Sequence, residues 1–425
     1  MTAAVQDVNR AIDAIWRIEA PKLIAGLARR VRDVGLAEEL AQDALVAALQ
    51  SWPKSGVPDR PGAWLMQTAK RRAIDLFRRQ KKFETIGQGI AHELEEEQMR
   101  PPDLDTALDD KIGDDLLSLI FTSCHPILSP EARTALTLRL LCGLTTDEIA
   151  RAFLSPEPTV AQRIVRAKKT LAEANIPFEV PRGAELAERL ESVLEVIYLV
   201  FNEGYSATSG EDLIRPQLSN EAMRLGRFLA GLATNEPEVL GLQALMEIQA
   251  SRFNARVGPD GEPILLPDQN RARWDQLLIR RGLNALSRAE TLLRQNGFGP
   301  GPYVIQAGIA ACHARAKTSD ETDWERIVAL YEALGALQPS PVIELNKAVA
   351  VSMARGPAAG LEIIDALLSE PALKNYHLLP GVRADLLFKL GRMTEAKADF
   401  EKAASMSRNE RERKLLLKRA AEAAA

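Results

Sequence analysis

The chain has 425 residues, a formal net charge of −4, and 46% hydrophobic against 26% charged residues. That length exceeds one ordinary core and predicts two or more domains. The balance excludes a wholly disordered chain and a uniformly basic nucleic-acid coat. Ala and Leu dominate, aromatic residues make up 5%, and alternating apolar patterns are scarce, so the expected fold class is all-α. Cys124, Cys142 and Cys312 are odd in number and far apart, which gives no disulfide framework and suits a reducing cytosol. No stretch reaches the ~18 uninterrupted apolar residues of a membrane helix, and the opening MTAAVQDVNR has no signal-peptide pattern. The expectation is a cytoplasmic, nucleoid-associated protein with no membrane contact.

The first predicted module spans residues 1–85. In LAEELAQDALVAALQSW, Leu36, Leu40, Ala44 and Ala48 share one helical face, while Glu39, Gln42, Val46 and Gln50 line the opposite one with Asp43 at its edge. The segment WPKSGVPDRP reads as a loop. GAWLMQTAKRRAIDLFRRQKK then reads as a helix with Leu65, Ala69, Ala73 and Leu76 buried. Trp64, Thr68, Arg71, Asp75 and Arg78 fall together on its far side. An outward indole beside guanidinium groups can stack on unpaired bases and hold their phosphates, and it can equally pack on a neighbouring helix.

Charge then reverses. From Arg60 to Lys82 there are eight bases against one acid, and from Glu93 to Asp115 ten acids against two bases. Residues 86–110, with the run EEEQMRPPDLD, read as an acidic flexible linker. The next module, 111–178, holds GLTTDEIARAFLSPEPTVAQRIVRAKKTL. Thr145 and Glu148 have capping-box spacing, the prolines of LSPEP forbid helix continuation, and Thr159 is the expected cap of the following helix. That helix would bury Val160, Ile164, Ala167 and Leu171 and present Gln162, Arg166 and Lys169, with Arg163 on its flank. Such a pair is a helix-turn-helix, which serves DNA reading in some proteins and plain packing in others. Cys124 and His125, in FTSCHPILSPEARTALTLRL, lack companions at ligand spacing, so no metal or cofactor is expected.

AEELAQDALVAAL, AWLMQTAKRRAIDLFRRQ and the helix-turn-helix, in that order, resemble an extracytoplasmic-function (ECF) sigma factor of bacterial RNA polymerase over roughly the first 175 residues. The segment FTSCHPILSPEARTALTLRL resembles the subgroup with a C-terminal extension containing tetratricopeptide-like (TPR) repeats. The resemblance implies that Glu39, Gln42 and Asp43 bind the core enzyme, with the β′ clamp and β flap as partners. It implies that Trp64, Thr68, Arg71, Asp75, Arg78 and Arg79 hold the melted minus-ten strand, with the loop near Trp52 to Pro61 housing a flipped base. It further implies that Thr159, Gln162, Arg163, Arg166 and Lys169 meet the minus-thirty-five duplex. Pro158 and Ala161 stand where the family commonly has Gly and Lys, so promoter sequence does not carry over from relatives.

Residues 179–425 read as a helical extension. AELAERLESVLEVIYLVFNEGYSATSG is a strong helix with stop chemistry at Asn202 and Gly204, and Glu203 and Tyr205 suit either an interface or a cap and core. NARVGPDGEPILLPDQNRARWDQLLI is turn-rich around Pro259, Asp260 and Gly261. It could hold a ligand or cross between helices. From about residue 301 the pattern is TPR-like: Gly391, Ala396, Phe400 and Ala403 take small and aromatic positions of a repeat, and WERIVALYEALGALQPSPVIELNKAVAVSMARG supplies a helix pair. Stacked pairs form concave surfaces, which makes a protein or peptide segment the expected partner. The functional expectation is a sigma factor without catalytic residues, directing polymerase to promoters and regulated by this extension. A duplex-binding regulator with a TPR-type sensor domain is the alternative, and it leaves the Trp64 face unused. An enzyme ranks last, because no nucleophile-base pair, phosphate loop or metal motif is present.

Overall fold

The computed structural model describes residues 3–81, 105–153, 155–206, 214–258 and 262–424. They are helical throughout, with no strand among the described residues; an isolated antiparallel bridge joins Val257 and Pro263. The chain divides into two compact units, Met1–Ile197 and Tyr198–Ala425. Residues 82–104, most of the expected acidic linker, lie outside the described residues, as do Pro259, Asp260 and Gly261.

In the first unit, α1 (Ala3–Val31), α2 (Val34–Ser55) and α3 (Pro61–Lys81) pack together. The Asp33 carboxylate caps α2 by accepting from the Leu36 N–H. The buried stripe of α2 is Ala37, Leu40, Ala41, Ala44, Ala48 and Trp52, while Leu36 is only half-buried. Small residues along this stripe let α1 and α3 approach closely. The expected loop beginning at Trp52 is shorter, because α2 continues through Pro53 to Ser55 and buries the Trp52 indole. In α3, Leu65, Ala69 and Ala73 are buried as expected, and Ile74 lies deeper than Leu76.

α4 (Asp105–Ser123) packs on α1 and leads into α5 (Pro130–Leu140), α6 (Thr146–Ala152) and α7 (Glu157–Glu173). Both arms of the Thr145–Glu148 capping box form. α7 opens differently from expectation: Pro156 occupies the N-cap and Thr159 sits inside the first turn with no capping bond. Pro158 explains the earlier start, since proline needs no N–H in the first helical turn and its fixed φ already suits a helix. Val160, Ile164, Ala167 and Leu171 form the buried face of α7.

α8 (Ala184–Tyr205) contributes its first half to the first unit and its end to the second. Arg189 donates to the Phe121 carbonyl at 2.9 Å, and the Ser192 hydroxyl donates to the Cys124 carbonyl at 2.6 Å while accepting from Arg133. These bonds satisfy carbonyls at the C-terminal end of α4 that no helical partner can reach. Burial pushes the Cys124 thiol up to about 11, against a smaller lowering by its hydrogen bond to Thr137.

The second unit continues with α9 (Pro216–Leu232), α10 (Pro237–Ala250), α11 (Gln276–Asn296) and α12 (Pro302–Arg315); α10 is the central helix, packed on the other three. α13 (Trp324–Leu337), α14 (Pro341–Arg355), α15 (Pro357–Leu367), α16 (Leu378–Lys389), α17 (Met393–Met406) and α18 (Glu410–Glu422) follow, each packed on its chain neighbour. Ala396, Phe400 and Ala403 are buried in this stack, and Gly391 makes the α16–α17 turn with φ 77°, a backbone state that favours glycine. α8 ends at Tyr205, next to Gly204, as expected; Gly204 itself is buried in the last turn, where a Cβ would run into Ser219 and the Arg215 carbonyl. Its role is to admit the start of α9.

Candidate nucleic-acid interface

Two of the faces singled out above lie on the α1–α3 module. On α2, Glu39 and Asp43 are exposed and Gln42 is half-buried. Asp43 is tied to α3 through Arg72 at 2.8 Å, and the Gln42 amide donates to Glu38 at 2.5 Å. Val46 and Leu49 add exposed apolar surface beside them.

On α3, Arg71, Asp75 and Arg78 are exposed. Trp64 is half-buried: its ring and that of buried Trp52 make a T-shaped pair with centroids 5.3 Å apart, so one side is packed and part of the indole stays open to solvent. Thr68 is half-buried and donates to the Trp64 carbonyl at 2.9 Å. The side chain of Arg79 lies outside the described residues. The face therefore combines an anchored aromatic ring with exposed guanidinium groups.

On α7, Thr159, Gln162, Arg166 and Lys169 are exposed and Arg163 is half-buried. Lys169 sits 3.5 Å from Glu173 one turn on, an exposed pairing worth only a few tenths of a kcal/mol. Val165 is exposed between the basic residues, an apolar side chain of the kind that can touch a thymine methyl.

The helix-turn-helix is docked on the α1–α3 module within this unit. Glu38, 3% exposed, receives Arg139 Nε at 2.7 Å from α5, Lys168 from α7, and the Gln42 amide. Arg139 also donates to the Leu144 carbonyl at 3.2 Å, holding the turn that precedes α6. Arg17 bonds Glu148 at 2.9 Å, and Arg29 pairs with Asp115 at 3.4 Å. Glu38, Arg139 and Lys168 were not among the residues expected from sequence. The available signal was Glu38 itself: a carboxylate next to the Ala37–Ala41 stripe must find a cation once buried, but the sequence does not say which.

Comparison with known proteins bears on the same segments. Residues 16–83 match sigma-70 region 2 and residues 118–171 match sigma-70 region 4. These two matches cover the module carrying the α2 and α3 faces and the helix-turn-helix with its supporting helices. The chain is an ECF-like factor of the sigma-70 family. A probable ECF RNA polymerase sigma factor of Mycobacterium tuberculosis, SigI, is 27% identical over 173 residues, 40% of this chain and 57% of that protein. An uncharacterized protein of Rhizobium meliloti, R00370, is 42% identical over 391 residues, 92% of this chain and 90% of that one. This chain and R00370 therefore belong to one family along nearly their whole length, extension included. Within the extension, residues 189–290 match a family of unknown function (DUF6596). No solved structure matches the chain. As a transcription initiation factor with both sigma-70 regions, the chain binds core RNA polymerase and promoter DNA.

Among the described residues no helix is long and apolar enough to cross a membrane, and no group of three His, Cys, Asp or Glu could hold a metal ion. In the FNEGY segment, Glu203 pairs with Arg215 at 2.5 Å, and the Tyr205 ring lies 3.8 Å from the Arg256 guanidinium. Both side chains are engaged inside the second unit.

Proposed function

We propose that this sigma factor directs RNA polymerase to its promoters through three separate surfaces. Glu39, Gln42 and Asp43 on α2 face the β′ clamp. Trp64, Thr68, Arg71, Asp75, Arg78 and Arg79 on α3 capture the unpaired minus-ten strand. Thr159, Gln162, Arg163, Arg166 and Lys169 on α7 meet the minus-thirty-five duplex, with the β flap supporting that module. The observation that carries this is the α3 face, where an indole packed against Trp52 and partly open to solvent stands beside exposed arginines. Stacking on such a ring is worth about 1–3 kcal/mol per base and needs single strands. A regulator of intact duplex has no use for it.

The docked state of the first unit is the resting form. Minus-ten and minus-thirty-five elements lie about 25 base pairs apart, or about 85 Å at 3.4 Å per pair. Helices touching through Glu38 cannot occupy both, so engagement requires Glu38 to release Arg139 and Lys168. Regulation by the extension is supported by α8, a single helix shared between the units, and the sequential stack α13–α18 supports a TPR-like surface for a protein or peptide segment.

Runoff transcription with purified core enzyme on a promoter library tests this function. Trp64→Ala combined with Arg78→Ala should abolish opening while leaving duplex binding by α7 within about twofold. Failure of the folded wild-type chain to copurify with core enzyme would overturn the proposal.

A further inference from the structure

We propose that the solvent face of α11, in the extension, is an additional contact surface for the phosphates of duplex DNA. At 100° per residue, Arg280, Arg281, Arg288 and Arg294 fall within one outward sector, opposite the buried Ile279, Ala285, Leu286, Ala289 and Leu293. All four arginines are exposed. Arg280, Arg281 and Arg288 have no ion-pair or hydrogen-bond partner among the described residues, and Arg294 bonds only Thr291 there. The one acid of the helix, Glu290, lies on its flank, outside the sector.

Several other arginines of the same unit are matched with carboxylates: Arg383 with Asp365 and Asp399, Arg392 with Glu395, Arg419 with Asp385. Local helix electrostatics do not account for the row on α11. Cations favour a helix C-terminus, which suits Arg294, whereas Arg280 and Arg281 stand in the first two turns, where the helix end is itself positive. Nor does solubility, which is served by interspersed charges of both signs.

The chemistry selects the partner. Leu277, in the first turn, is the sector's single exposed apolar residue, and from Arg280 to Gln295 the sector holds none, so it offers one aliphatic contact rather than the apolar centre of a protein interface and has no aromatic stacking platform for single strands. Its polar neutral members from Arg280 on, Asn284, Ser287, Thr291 and Gln295, are the types that donate to phosphate oxygens. From Arg280 to Arg294 the row is about 21 Å long at 1.5 Å per residue, a stiff line of charge matched to a stiff duplex. By contrast, Lys169 on α7 is already paired within its helix. Backbone contacts of this kind add affinity without sequence preference, which suits an extension that strengthens binding without changing the sequence read.

The test uses the full chain and a fluorescent 40-base-pair duplex of scrambled sequence, with affinity followed against salt. Each lost phosphate contact lowers the slope of log K against log salt by about 0.9. Arg280→Gln, Arg281→Gln and Arg288→Gln together should lower it by about 2–3, whereas the corresponding lysine triple should keep it. An unchanged slope in the glutamine triple overturns the proposal, as does an equal loss in a lysine triple that melts like wild type. A photo-crosslinker at position 288 in the promoter complex should label DNA, and labelling of a polymerase subunit instead would also overturn it. Runoff activity of the same preparations reads the sigma-factor function separately, so neither result can be mistaken for the other.

Discussion

Glu38 concentrates the energetics of the docked first unit in one side chain. A carboxylate this buried is tolerated because two cations and an amide surround it, and removing one partner of such a cluster leaves the others uncompensated. Glu38→Gln keeps the shape and removes the charge, so Arg139 and Lys168 lose their counter-ion. We expect the helix-turn-helix to separate from α1–α3, read as faster amide exchange at the Leu144 turn, and promoter complexes to form several-fold faster with core enzyme. Slower complex formation would show that docking is not a resting form. His313 is the other informative residue. Burial, reinforced by Arg252 and Arg271, lowers its pKa from 6.5 to about 4, so the folded second unit holds it neutral. The unfolded chain binds this proton first as pH falls, so stability is complete above about pH 6.5 and declines toward pH 4, by on the order of 3 kcal/mol at 1.36 kcal/mol per pH unit. His313→Gln should flatten that part of the pH dependence of the melting temperature.

Among the elements, α8 decides where the chain can be cut. The sequence places a module boundary at residue 178, yet the first unit runs on to Ile197, Leu190, Val193, Leu194, Val196 and Ile197 are buried, and Arg189 and Ser192 satisfy the end of α4. A chain of residues 1–178 lacks these residues and leaves the Phe121 and Cys124 carbonyls without their donors, each costing about 1–3 kcal/mol if they stay buried. We expect residues 1–197 to melt cooperatively and residues 1–178 to be largely unfolded or aggregated at 37 °C, as circular dichroism would record. Any deletion meant to probe regulation by the extension should therefore begin after Ile197, because a shorter chain confounds lost regulation with lost folding.

For the whole molecule, the expected event is opening of the first unit. Donor and acceptor dyes on the exposed faces of α3 and α7 should give efficient energy transfer in the free chain. Transfer should fall to near zero in the promoter complex, since the two elements are about 85 Å apart at 3.4 Å per base pair. Efficient transfer in an active open complex would contradict the proposed release.

Much of this was legible in order of residues alone. Helix type, the capping box at Thr145, the buried faces of α3 and α7 and the stack containing Ala396 and Phe400 all depend on contacts within a few residues, where period and capping chemistry are explicit. Two other outcomes depended on partners far along the chain. The helix end beside Gly204 was legible, but not that its missing side chain admits α9, and Trp64 took its half-buried pose from Trp52 across a helix boundary. Sequence by itself determined that this is an all-helical chain with sigma-70 modules ahead of a helical extension. Only the tertiary structure decided that Glu38 would meet Arg139 and Lys168, because Arg139 lies 101 residues away and burial selects among all the cations the chain could offer.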